Sequence, residues 1–461
     1  MNIIFAMIFS IIIKALSAVV EILIQMLITN NAGVSELGNY TFYVSLIEGG
    51  YFLLFSGSIK LNTYYLSTSS SNLSNFKKKY NLFYVLPLIS IVALAFVLMH
   101  NLVGLFASII LLFYYFAFDE SSLFFSRGHQ ISALLGEYLI GRTVLLIGVL
   151  SAVRFGYSTG LYLLLLYGLQ FIVMIIWFLS FRKKIPNGND EINVPIMKLV
   201  EYQVSDVATS VITYFPTILQ YVVGGAFTAG FTGIVTLVKK FINFISGPTA
   251  KVFLPEFSRL YKNDEREKLE NVYLMIVRIQ MVFIGTIAAI LIGFPRLILH
   301  MFSPDLEQYR NIFSWTAVSL LVIAGIGPVT GMLQMTGNER VCNRNQWISI
   351  AVMLLVCIIF HKQEMFAVYG LCAQAIIEGV LKYFSVCKWF GKNIIPISNY
   401  ILLWFPVGIL KFIVVYTKID YSLIGVLISA FIIFLWNSLF ALRDPMIRNY
   451  ISIKLKNVKK R

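Results

Sequence analysis

Leu27-Ile28-Thr29-Asn30-Asn31-Ala32-Gly33-Val34-Ser35-Glu36-Leu37-Gly38 and Leu219-Gln220-Tyr221-Val222-Val223-Gly224-Gly225-Ala226-Phe227-Thr228-Ala229-Gly230 read as two copies of one pattern. Leu27, Gly33 and Gly38 fall on Leu219, Gly225 and Gly230 without a gap, at a shift of 192 residues (Gly38 to Gly230). In each copy one long apolar stretch precedes the turn and another follows it. A pattern that returns across so long an interval is read as internal duplication before any local motif is weighed.

Working outward, apolar stretches fill the chain at approximately 3–28, 40–66, 81–99, 102–126, 131–153, 159–181, 200–222, 230–250, 271–294, 312–336, 346–360, 366–387, 399–416 and 421–441. About 20 apolar residues cross a bilayer as a helix. With 58% hydrophobic and 13% charged residues, no soluble surface is left to cover fourteen such helices. The fold class is therefore an all-α polytopic membrane protein. The repeat divides it into two pseudo-symmetric six-helix lobes around a central cavity, residues 1–190 and 191–393, with two additional helices and a basic tail at 394–461. Six spans per lobe start both lobes on one side, which makes a parallel repeat with its axis along the membrane normal. Such halves commonly enclose a substrate site near the midplane and alternate its access by rocking. The linker, Arg182 to Lys198, is polar and holds Pro186, Asn187, Gly188 and Asn189.

The formal charge of +15 is a topology signal, not a nucleic-acid signal. With the N-terminus inside, the inside segments hold 24 of the 37 Lys and Arg, the outside segments 5 and the spans 8. Lys and Arg favour the cytoplasmic side, so both termini are expected there. The basic tail adds contact with anionic membrane lipids. No basic n-region precedes the first span, and its apolar run is too long for a signal peptide, so an uncleaved span is expected despite Ala15-Leu16-Ser17. Cys342, Cys357, Cys372 and Cys387 form no CxxC pair and read as small packing residues.

Ionisable residues at span depth call for a cavity or a partner. In span 1, Ser10, Lys14, Ser17, Glu21 and Gln25 recur at helical spacing, and in span 7 Asp206, Thr209, Thr213, Thr217 and Gln220 do the same. The repeat shift places Lys14 on Asp206 and Glu48 on Lys240, with opposite signs. The stripes are expected to face each other across the cavity; equally, the same charges could be buried salt bridges that hold the lobes together. Lys239 and Lys240 lie deep in span 8 above Asn243 and Ser246, and Arg142 lies in span 5 near Glu137. A cationic cavity suits a phosphate or diphosphate. The candidate substrate-binding cations are Lys239, Lys240, Arg142 and Lys14. The candidate coupling or charge-pairing residues are Glu48, Asp206 and Glu21. Lys60, Arg278 and Lys382 sit near helix ends and are expected to snorkel, with Glu378 four residues from Lys382 as a local partner. Asp119 and Glu120 are expected to meet headgroup water. Gly49-Gly50, Pro216 and Gly247-Pro248 read as helix breakers that suit a moving cavity or simply bend the packing.

No GxxxxGK[ST] loop is present, and His100, His129, His300 and His361 are scattered, so neither ATP hydrolysis nor a metal site is expected. No large outer loop carries paired carboxylates, which argues against an enzyme and assigns no catalytic residue.

Three stretches resemble the polysaccharide biosynthesis and oligosaccharide flippase family of the multidrug/oligosaccharidyl-lipid/polysaccharide exporter superfamily. Gly33-Val34-Ser35-Glu36-Leu37-Gly38-Asn39-Tyr40 is similar to its G-x-x-E-x-G-x-Y, and Leu254-Pro255-Glu256-Phe257-Ser258-Arg259-Leu260-Tyr261 to its x-P-x-F-S-x-L-Y. Tyr369-Gly370-Leu371-Cys372-Ala373-Gln374-Ala375 is similar to its G-x-x-G-A-A-x-A, with Cys372 and Gln374 departing from the pattern. Phe231 also departs, where similar sequences have Ile-Tyr after the glycine. The resemblance covers roughly residues 1–395. It implies two six-helix lobes that move a polyprenyl-diphosphate-linked oligosaccharide (an O-antigen, capsular or exopolysaccharide repeat unit) to the outer leaflet. It also implies no bound cofactor, energy from an H⁺ or Na⁺ gradient, and work beside glycosyltransferases and a polymerase in a bacterial inner membrane. The rival expectations are a multidrug or small-cation antiporter of the same superfamily, a membrane polymerase or glycosyltransferase, and a non-transporting scaffold of an envelope complex.

Overall fold

The computed structural model describes residues 3–58, 62, 71–72, 74–157, 159–182, 190–191, 196–394, 397–417 and 422–442. Lys60, most of the linker, including 186–189, and the tail from 443 lie outside the described residues, as do the side chains at Ser10, Asn243, Ser246 and Pro248. The described chain is almost wholly helical. Ten helices among the described residues are long and apolar enough to cross a membrane. By packing, the chain forms two compact units, Met1–Leu237 and Val238–Arg461.

The N-terminal unit contains α1 (Ile3–Ala32), α2 (Val34–Leu54), α3 (Ser74–Tyr80), α4 (Leu86–Leu98), α5 (Leu102–Ser126), α6 (Gln130–Leu134), α7 (Gly141–Phe155), α8 (Gly160–Phe181) and α9 (Ile196–Gly224), with the start of α10 (Ala226–Lys262). Single π-helical stretches, Asn81–Val85 and Leu135–Ile140, join α3 to α4 and α6 to α7. Helix α2 packs against α9, α5 against α8, and α1 against α7. The helix starts carry their own signals. Asn101 accepts from the Gly104 amide at 2.9 Å, and Glu36 accepts from the Gly160 amide at 2.6 Å, a carboxylate on the positive end of α8. Two residues from the loop after α2 pair in parallel with two from the linker, Ser71 with Asp190 and Asn72 with Glu191. These segments therefore lie at one end of the unit, where the even span count between them requires them to be.

The two copies of the opening pattern meet here. Gly33 and Gly225 both hold positive φ, 92° and 87°, and end one helix so that the next begins at once. For that reason α2 and α10 start at Val34 and Ala226 rather than at the predicted 40 and 230: the polar residues after each glycine are helical, not loop. A Cβ on Gly38 would lie 1.7 Å from the Ala226 carbonyl oxygen, and one on Gly230 would lie 2.3 Å from that of Val34. Ala226 is Val34 moved by the repeat shift, so the contact is its own image under a local two-fold. Gly49 and Gly50 do not break α2. A Cβ on Gly49 would sit 3.2 Å from Tyr214 Cβ, and the Gly49 carbonyl accepts from Ser210 at 3.2 Å, so this glycine lets α9 approach. Helix α9 likewise runs through Pro216.

The C-terminal unit contains the rest of α10, α11 (Arg266–Gly293), α12 (Pro295–Phe302), α13 (Arg310–Ala324), α14 (Val329–Met335), α15 (Glu339–Ile359), α16 (Phe366–Phe390), α17 (Ile397–Thr417) and α18 (Leu423–Ala441). The predicted span 312–336 is two helices, interrupted between Ala324 and Val329. Gly327 turns at φ 78°, Pro328 brings no amide hydrogen, and the Tyr273 hydroxyl takes up the Ile326 carbonyl. Helices α17 and α18 are fixed to α11. Lys411 donates to the Ile292 carbonyl at 3.0 Å, at the negative end of α11, and a Cβ on Gly293 would lie 2.8 Å from Leu410.

Gly38→Ala should lower the Tm in detergent and destabilise the fold by about 1–3 kcal/mol, the usual effect of overpacking a tight contact. Gly408→Ala, whose new Cβ meets nothing within 4 Å, should leave Tm unchanged or raise it. Thermal unfolding of the two purified variants checks the pair.

Candidate functional site

Helix α1 is amphipathic in reverse. Ser17 and Gln25 are buried, while Ile12, Leu16, Val19 and Leu23 on the other side are exposed, which suits lipid outside and polar groups inside. Its stripe delivers Lys14 and Glu21 into the N-terminal unit. There Arg142 Nη2 stands 3.6 Å from Glu21 Oε2 and 4.0 Å from Glu48 Oε1. Glu48 is buried, 5% exposed, and accepts from the Tyr167 hydroxyl at 2.7 Å. Tyr214 also hydrogen-bonds Glu48. Arg142 is thus held by acids from α1 and α2 rather than by its sequence neighbour Glu137, which accepts from Ser121 at 3.1 Å. Lys14 lies 5.2 Å over the Tyr138 ring. Asp206 lies on α9 in the same unit, within electrostatic reach of Tyr51.

A guanidinium flanked by two carboxylates is a compensated charge. Arg142 faces both Glu21 and Glu48, two carboxylates to one guanidinium, so this contact carries more acid than base. Such a site can hold a proton or pair a cation; an anion would meet net repulsion.

The C-terminal unit holds the opposite balance. Lys239 Nζ donates to Gln374 Oε1 at 3.0 Å. The Gln374 amide donates in turn to Glu378 and, at 3.3 Å, to Ser349. Glu378 also binds Lys382 at 2.6 Å, the local helix pair that the four-residue spacing predicts, so Lys382 is engaged rather than snorkelling. Gln374, Glu378 and Lys382 stack at successive turns of α16, and α15 supplies Ser349 and Asn345, the latter 2.8 Å from Ser385. Two lysines share one carboxylate, and Lys239 reaches it only through a neutral amide. Lys240 follows Lys239 on α10 and points elsewhere on the helix, since adjacent residues are about 100° apart.

A third cluster was not anticipated. Asp119, expected in headgroup water, is 5% exposed. It binds Lys77 at 2.8 Å and Asn62 at 2.7 Å, while Asn62 also donates to Ser122 at 2.6 Å. Beside it Glu120 pairs with Arg182. Sequence gives the depth of Asp119 along its helix but not the face. The available signal was the basic loop residues at the same end, Lys77 and Arg182, taken above only as topology. Tyr167 carried no sequence signal of its own, and Gln374 stood out only as a departure from a small-residue pattern.

No protein-family model and no curated protein sequence matches the chain. Solved structures do. The lipid II flippase MurJ in an inward closed conformation superimposes with a TM-score of 0.67 at 15% identity, over 95% of this chain and 99% of that one. An inward-facing multidrug resistance MATE family transporter of the MOP superfamily matches with a TM-score of 0.60 at 13% identity, over 82% and 98%. A MOP superfamily transporter from Pyrococcus furiosus, with a binding pocket of reverse polarity, matches with a TM-score of 0.58 at 12% identity, over 84% and 95%. At these identities the likeness is one of fold: the chain has the polytopic all-α membrane fold of these transporters.

Arg142→Ala should destabilise the protein by about 3–5 kcal/mol, because it strands two acids at membrane depth. Adding Glu21→Gln should recover part of the loss. A double-mutant cycle on thermal unfolding in detergent measures the coupling.

Proposed function

We propose that this chain is a flippase that moves a polyprenyl-diphosphate-linked oligosaccharide, the repeat unit of an O-antigen, capsule or exopolysaccharide, from the cytoplasmic to the outer leaflet. It works by alternating access, coupled to an H⁺ or Na⁺ gradient. The architecture that goes with this reading is fourteen spans in lobes 1–190 and 191–393 with two added helices at 394–461. Both termini face the cytoplasm of a bacterial inner membrane, beside glycosyltransferases and a polymerase.

The observation that carries the reading is the likeness to a lipid flippase over nearly the whole of both chains, 95% and 99%. The chemistry of the clusters supports it. Lys239 is held by a neutral amide rather than by a carboxylate of its own, which makes it the first candidate partner for the diphosphate. Lys240, next to it on α10, is a second candidate cation of the same unit, and Lys14 is a candidate cation of the N-terminal unit. Arg142 is compensated by Glu21 and Glu48, and its cluster with Asp206 suits coupling better than substrate binding. The same acid excess, with the multidrug transporter likeness over 82% of the chain, supports the second reading, a multidrug or small-cation antiporter.

Lys239→Gln should trap complete lipid-linked units on the cytoplasmic leaflet of a depletion strain while expression is unchanged, and Lys240→Ala should act in the same direction. A charge-assisted hydrogen bond contributes about 1.5–3 kcal/mol, roughly 10- to 100-fold in affinity. Leaflet-resolved analysis of polyprenyl-linked sugars reads the outcome. Normal sidedness in both variants removes these lysines from the site. Normal sidedness in the depleted strain, with a changed drug-susceptibility panel, favours the second reading.

A further inference from the structure

Between the Glu48 and Asp119 clusters of the N-terminal unit lie several tyrosines, among them buried Tyr51 and half-buried Tyr80, whose hydroxyl oxygens are both buried without a hydrogen-bond partner. We propose that ordered water joins Tyr114, Tyr51 and Tyr80 into a hydroxyl chain that conducts protons between Asp119 and Glu48. The proposal deepens the coupling part of the function given above and rests on it.

Tyr51 is 0% exposed, and its ring lies 4.6 Å from that of Tyr114. A buried hydroxyl without a partner is unfavourable, and native interiors relieve it with bound water where several polar groups converge. They converge here. Within electrostatic reach of Tyr51 are Asp119, Glu137, Tyr80 and Asp206; of Tyr80, Tyr84, whose ring stacks on it at 5.1 Å, and Asp119; and of Tyr114, Glu48, Tyr214, Tyr51 and Glu137. Tyr115, beside Tyr51, Tyr80 and Asp119, donates to Asn81 at 2.6 Å. The fixed cations at the two ends are Lys77 on Asp119 and Arg142 with Glu48. Both π-helical stretches of the unit border the chain: Asn81–Val85 follows Tyr80 directly, and Leu135–Ile140 carries Glu137. Such stretches recur at functional sites, because the wider turn loosens the backbone hydrogen bonds.

The chemistry closes on itself. A phenol or a water both donates and accepts. When a proton enters at Asp119, each oxygen along the chain accepts one hydrogen and releases another, and Glu48 receives the last. The acid excess around Arg142 provides the place for that proton, and no oxygen between the ends is left charged.

The test uses the full chain in lipid nanodiscs without substrate. X-ray hydroxyl-radical footprinting labels a fully buried tyrosine only where water is bound. Tyr51 should label, and Tyr167, equally buried but bonded to Glu48, should not. After a pH jump, the infrared carboxyl band that Glu48→Gln removes should rise more slowly in Tyr51→Phe by on the order of tenfold or more, the scale of a lost proton-transfer group. An unlabelled Tyr51 overturns the proposal, as does a higher Tm in Tyr51→Phe, the mark of a dry hydroxyl removed. Labelling without a change in rate leaves water but no relay and overturns it too, as does the absence of any Glu48 band. None of these readouts involves the sugar lipid, so a failed substrate assignment with an intact relay is distinguishable from a failed relay.

Discussion

A charge at membrane depth must find a partner, and in this chain the partners come from helices far apart in sequence. Arg142 draws Glu21 and Glu48 together and so fixes α7 against α1 and α2. Asp119 gathers Asn62 and Lys77, which brings the segment after α2 and the helix α3 onto α5. In the C-terminal unit Lys239, Gln374, Glu378 and Lys382 tie α10 to α16. Hydrophobic burial cannot choose among these arrangements, because the outer surface, with Ile91 and Leu98 on α4 or Phe431 on α18 exposed, suits lipid as well as a protein core would. The polar contacts and close van der Waals fits choose instead.

The glycine crossing is the van der Waals counterpart. With almost no hydrophobic force between helices in lipid, association depends on how closely backbones approach. Gly38 and Gly230 let α2 and α10 touch backbone to backbone. The duplicated turn makes both sides of that contact at once, so one short pattern serves twice. The packing of α9 along α2 extends the same contact, with Tyr221 bonded to Asn39 at 2.9 Å and stacked on Phe42 at 3.9 Å. This is why the N-terminal packing unit runs to Leu237 and takes in the opening helices of the second repeat copy.

The helices were legible because apolar length is a local property. The span 102–126 coincides with α5 to the residue. Boundaries failed where backbone conformation overrode hydropathy: at Gly33 and Gly225, where positive φ starts a polar helix at once, and at Gly325 to Pro328, where an apolar run hides a break. The glycines of α2 misled in the opposite direction, since a residue that permits a kink also permits close packing. At the site, the ionisable residues were legible from their depth alone. Their pairing was not, because nothing local in Arg142 names Glu21, 121 positions away. Asp119 shows the same limit, being placed at the right level and on the wrong face.

The two large clusters use the same residue types to opposite ends. Around Arg142, two acids face one cation, and a guanidinium with carboxylates on two sides has little attraction left for a further anion. Around Lys239, two ammonium groups face one carboxylate, and the amide of Gln374 separates Lys239 from it. A neutral amide satisfies the geometry of an ammonium without the opposite charge that Glu21 and Glu48 bring to Arg142. Cations that look alike in sequence are therefore sorted by their partners. Arg142 is matched by carboxylates, whereas Lys239 is matched by an amide.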